Sequence, residues 1–176
     1  MHNIAIVSEI PGDGVYKIFS NQQLDAKGSS QPGSALICEI YHTFNPEGLV
    51  ASVVDICASQ LEEQEEDGDE GDLTLFEDLV GHLAVKNLLL SDLEKEEKLK
   101  EGSCFAVEFF KKLKSELMDV AKSNRGALVL SALCKVPSVR DDVIKILRKQ
   151  TAKIKEFTNK AEHRAGYEAL LKEIEK

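Results

Sequence analysis

Lys145, Lys149 and Lys153 recur at intervals of four residues, with Arg148 and Lys155 beside them. On a helix of 3.6 residues per turn that spacing lines one face. A row of this kind neutralises phosphates and releases their counterions without reading base sequence. Lys122 and Arg125 flank the start of a second apolar string, and Lys86 lies on a third. These eight cations are the candidate binding residues. The bland alternative is the solvated face of a surface helix, and periodicity leaves both readings open.

Other chemistries find no support in the residues. PGDG at 11–14 lacks the lysine and following helix of a phosphate-cradling P-loop. His2, His42, His82 and His163 show no metal-ligand spacing, and no Gly-x-Ser-x-Gly elbow presents a serine. Cys38, Cys57, Cys104 and Cys134 lie 19, 47 and 30 residues apart, unlike zinc pairs or a disulfide framework, so they read as reduced core thiols. Cys104 opens a helix, where the positive end favours a thiolate, yet no neighbouring residue supplies a base. The chain is read as a non-enzyme with no metal, cofactor or small-molecule substrate.

The net charge of −9 conceals two opposite halves. Residues 1–94 carry 3 basic and 18 acidic side chains, whereas residues 95–176 carry 19 and 13. Eight of the eleven residues at 62–72 are carboxylates, and two more are glycines. Self-repulsion and the lack of anything to bury predict an acidic surface loop there. The alternation of a calcium-binding loop is absent. No apolar run approaches the ~20 residues of a membrane span, and the first residues lack a secretory signal, so an intracellular chain is expected.

The elements that must position the cations emerge from self-comparison. GSALICEIY from Gly33, GHLAVKNLL from Gly81, GALVLSALC from Gly126 and GYEALLKEI from Gly166 share one layout, at intervals of 48, 45 and 40 residues. Apolar residues stand three and four places after each glycine, which is the pattern of a helix with one buried face, and the last copy is weaker, with Glu168 and Glu173 where its siblings are apolar. Partner helices lie between. Asn45–Pro46–Glu47 opens one, Ser103 caps a second with Phe105 and Phe109 one turn apart, and Ser138 with Asp141 forms a capping box for a single long helix from Val139 to Phe157. Thr158 or Asn159 is expected to cap the last helix. Residues 1–32 form a poorly defined N-terminal segment with a marginal helix at 15–19, and residues 33–176 a helical-repeat region. The predicted fold is all-α, an α-solenoid of stacked helical hairpins.

LFEDLVGHLAVKNLLLSD at 75–92, EGSCFAVEFF at 101–110 and above all AKSNRGALVLSALCK at 121–135, with the closing GYEALLKEIEK, resemble the Pumilio-homology (Puf) repeat family in its divergent nucleolar Puf-A branch, over the C-terminal, CPL-type region. Members are several times longer, so the chain looks like a C-terminal fragment or truncated product. The resemblance implies a curved stack of repeats, a nuclear, nucleolar location, RNA binding, a part in large-ribosomal-subunit maturation and, in some members, translational repression. In Puf repeats, side chains one, two and five places after the helix glycine read bases. Here those places hold Ser34, Ala35 and Cys38; His82, Leu83 and Lys86; Ala127, Leu128 and Ser131; Tyr167, Glu168 and Leu171. Few of them can grip a base edge. The expectation is therefore sequence-tolerant binding of an RNA or DNA backbone through Lys86, Lys122, Arg125, Lys145, Arg148, Lys149, Lys153 and Lys155. The competing expectation is a scaffold for protein partners such as ribosomal assembly proteins.

Overall fold

The computed structural model describes residues 31–44, 47–66, 74–95 and 104–176. Among them every regular element is a helix: α1 (Gln31–Phe44), α2 (Glu47–Glu66), α3 (Gly81–Lys95), α4 (Phe105–Leu113), α5 (Leu117–Val120), α6 (Asn124–Leu133), α7 (Pro137–Arg148), α8 (Thr151–Lys160) and α9 (Ala165–Ile174). The repeat glycines open four of these, at or next to the first residue of α3 and α9 and at the third of α1 and α6.

The helices form two rows. α1, α3, α6 and α9 pack side by side in one, α2, α4 and α7 in the other, and α8 folds onto α9. This is the α-solenoid that the repeat implies. One continuous apolar core runs between the rows, from Ile37 and Tyr41 through Val85, Leu89, Phe105 and Phe109 to Leu130, Val143, Leu147 and Leu170, all buried. Burying each large side chain contributes about 1.5–3 kcal/mol. Edge-on aromatic contacts tie neighbouring units, Tyr41 to Phe105 and Phe76 to Phe109, each with ring centroids 6.2 Å apart.

Several local expectations are corrected. Residues 139–157 do not form one helix. Continuing the stripe beyond Leu147 requires an apolar residue at 150 or 151, and Gln150 and Thr151 stand there. The amides of Lys149 and Gln150 reach back only three residues, to Ile146 O and Leu147 O at 3.2 and 2.9 Å, and the helix ends. Ser138 and Asp141 form no capping box, because Pro137 takes the first helical position, where a fixed φ and a missing N–H suit it. Thr158 does not cap the terminal helix either. Its hydroxyl donates to Ile154 O at 2.8 Å within α8, and α9 begins only after Arg164.

The acidic stretch is helical at its start, since α2 runs on to Glu66. Its remainder at 67–72, the predicted helix at 15–19, and the caps at Asn45, Pro46 and Ser103 lie outside the described residues. Cys57 and Cys134 are buried free thiols, whereas Cys38 and Cys104 are only half-buried. No helix among the described residues is long and apolar enough to cross a membrane.

Candidate nucleic-acid interface

The helix starts are built by a shared device. Three residues before Gly81, Asp78 Oδ1 accepts the amides of Val80 and Gly81 at 2.8 and 2.6 Å. Three residues before Gly126, Ser123 Oγ accepts Gly126 N at 2.9 Å. In the last copy that place holds His163, and the acceptor comes from another unit: Asn124 Oδ1 takes Gly166 N at 2.7 Å. A capping residue three places before Gly81 and Gly126 is legible in the sequence.

The Ser-Asn-Arg-Gly segment is therefore a clamp. On one side Ser123 Oγ donates to Phe76 O at 3.3 Å and Arg125 Nη1 donates to Glu77 O. On the other, Asn124 holds Gly166 and Tyr167 OH donates to Lys122 O at 2.7 Å. Three units meet at five consecutive residues.

This placement divides the eight candidate cations. Arg125 is half-buried and bonded to a carbonyl, and Lys122 is exposed and paired with Asp119 at 2.8 Å. Lys86 is half-buried on α3. The other five gather around the junction of α7 and α8. Lys145, Lys149 and Lys153 are exposed there, Lys153 Nζ lying 5.9 Å from the centre of the Phe157 ring. Arg148 Nε donates to Ile174 O at 2.9 Å, and Lys155 stands 3.8 Å from Glu175.

The two groups contact α9 at different places. Lys122 meets the start of α9 at Tyr167, whereas Arg148 meets its end at Ile174. Tyr167 and Ile174 are about 10 Å apart along the helix. The fourfold spacing of the lysines also loses its meaning at the break, because Lys153 belongs to a different helix from Lys145. Lys160, not singled out from sequence, extends α8's positive charge but is tied to Glu156 at 2.6 Å.

The positions that would read bases are poor readers in space as well. His82, Ala127 and Tyr167 are buried, and Ser131 is buried with its hydroxyl donating to Leu128 O at 2.9 Å. His82 Nδ1 lies 2.7 Å from Asp78 O, while burial and then the nearby Arg125 and Lys86 favour its neutral form, and its pKa is lowered despite the Asp78 contact. Leu83 is exposed but apolar.

Cys104 also departs from the thiolate expectation. It stands before α4, yet the cap there is Asp92 from α3. One Asp92 oxygen accepts Ala106 N at 2.7 Å and Cys104 Sγ at 3.1 Å, and the other accepts the Tyr41 hydroxyl, which itself accepts Phe105 N at 3.0 Å. Burial first, then the adjacent carboxylate, pushes the Cys104 thiol up to about 11. Among the described residues no three His, Cys, Asp or Glu side chains gather as a metal site would require.

Two rows of helices packed in a repeating register define a helical-repeat solenoid. Its fold is that of human Puf-A: the crystal structure of that protein superposes with a TM-score of 0.73 at 22% sequence identity, over 97% of this chain. The chain spans 30% of the solved Puf-A chain. No protein-family model matches the sequence, and no curated protein does.

Proposed function

We propose that this chain is an RNA-binding helical-repeat segment of a nucleolar Pumilio-like protein acting in large-ribosomal-subunit biogenesis, holding phosphate backbone at the α7–α8 junction without reading bases. The location and the biological process rest on the family resemblance. The binding mode rests on one observation. Between Lys145 and Lys160 there are six cations and one carboxylate, and Lys145 and Lys149 have no carboxylate within salt-bridge distance among the described residues. Unneutralised ammonium groups on an exposed surface attract polyanions, and affinity then falls steeply with salt.

The test is a salt titration of binding to two RNA oligomers of unrelated sequence. Similar affinity for both at low salt, lost as salt rises, is the expected result, and the combined Lys145→Glu, Lys149→Glu and Lys153→Glu variant should abolish it while folding normally. Absence of binding at low salt, or strong preference for one oligomer, defeats the proposal. A protein-interaction scaffold is the second reading, favoured by Leu79 and Leu83, which expose 56% and 39% of their surface on and just before α3. Under it the triple variant keeps its protein partners.

A further inference from the structure

Thr151 is the one serine or threonine among the described residues with an arginine three places before it, Arg148, and it has Lys149 two places before it. Protein kinases with an acidic substrate groove select that charge pattern, because guanidinium groups pair with carboxylates bidentately. Ser115, Ser138 and Thr158 carry only lysine at the third place before them.

The structure leaves this segment accessible. Arg148, Lys149, Gln150, Ala152 and Lys153 are exposed, and Thr151 is half-buried. Its hydroxyl donates at 2.9 Å to Arg148 O, at the end of α7 only three residues earlier. The backbone here is the break between α7 and α8, so opening to the extended form that a kinase grips releases the turn bonds of Lys149 and Gln150, the Thr151 hydroxyl bond and the Arg148 bond to Ile174 O, without unwinding the body of either helix. Thr158, by contrast, lies inside α8.

We propose that Thr151 is a phosphorylation site for a kinase selecting arginine at the third preceding position, and that phosphate there switches off polyanion binding at the α7–α8 surface. The second half rests on the proposed function. In the transfer, Thr151 Oγ attacks the γ-phosphorus of ATP and the bond from that phosphorus to the β–γ bridging oxygen breaks. ADP leaves with the electron pair, and the hydroxyl proton passes to the kinase's carboxylate base. The product carries close to two negative charges and three acceptor oxygens amid Arg148, Lys149, Lys153 and Lys155. It competes directly for the cations a polynucleotide would use. The single carboxylate of the stretch, Glu156, is already engaged by Lys160.

The experiment treats the full chain with ATP and an arginine-directed Ser/Thr kinase, maps phosphate by mass spectrometry, and then measures RNA affinity. Phosphate is expected on Thr151, absent from Thr151→Ala and restored in Thr151→Ser, with RNA binding weakened about tenfold or more at low salt. Kinase-treated Thr151→Ala should bind RNA as the untreated chain does. Phosphate only on Ser115 or Ser138, or none, overturns the site. Phosphate on Thr151 with unchanged RNA affinity overturns the switch. An untreated chain that binds neither oligomer sinks the proposed function and the switch together, while the mass spectrum still decides the site.

Discussion

Asn124 holds the amide of Gly166, 42 residues further along, at 2.7 Å, so the start of α9 is capped by a side chain from the preceding unit. Capping and stacking are thus one interaction. Asn124→Ala removes the only capping group α9 has among the described residues and should cost about 1–2 kcal/mol, whereas Asn124→Asp keeps the acceptor and should cost less. Urea midpoints of the two variants check the order.

The repeat glycines carry a sharper prediction. A Cβ on Gly126 would stand 1.8 Å from Val120 O, and one on Gly166 1.8 Å from Asn124 O, both rigid backbone atoms. Gly126→Ala and Gly166→Ala should each lose about 3 kcal/mol or more. Gly48 faces open space in the first turn of α2, so Gly48→Ala should instead stabilise, by up to about 0.5 kcal/mol. Thermal melts distinguish the opposite signs.

Asp92 is 2% exposed and accepts from Tyr41, Cys104 and Ala106, joining α1, α3 and α4. Tyr41→Phe leaves one carboxylate oxygen and the Phe105 amide without that partner. The expected loss is about 1.5–3 kcal/mol, with little change in secondary structure by circular dichroism.

A pH dependence follows from the two half-buried thiols. Burial lifts Cys38 from 9.0 to about 11, and burial with Asp92 lifts Cys104 by a similar amount. Between those values the folded chain keeps protons that the unfolded chain loses. Their stabilisation is therefore complete below about pH 9 and is lost as pH rises through about 11. Replacing both cysteines by alanine should flatten the fall in urea midpoint over that window relative to the parent chain.

Arg125 and Lys145 should separate structure from binding. Arg125→Ala loses its bond to Glu77 O and should cost about 1–3 kcal/mol, so any RNA defect in that variant comes with a lowered melting temperature. Lys145→Ala, exposed and without an ion pair among the described residues, should leave the melting temperature unchanged. A matching fall in stability for Lys145→Ala would contradict its surface role.

Local order along the chain determined much of this protein. Apolar residues at helical spacing after each glycine predicted α1, α3, α6 and α9, and the missing apolar residue at Gln150 or Thr151 marked the break that the long-helix expectation overlooked. Asp78 and Ser123, three places before their glycines, announced two of the caps. These features are readable because they depend on neighbours within one or two turns. Only the tertiary structure decided that Arg125 turns inward to a carbonyl 48 residues away, that Asp92 rather than a helix end governs the Cys104 thiol, and that Arg148 is held to the end of α9 at Ile174. Each of those outcomes depends on which groups the packing brings opposite one another, and separation along the chain carries no record of that.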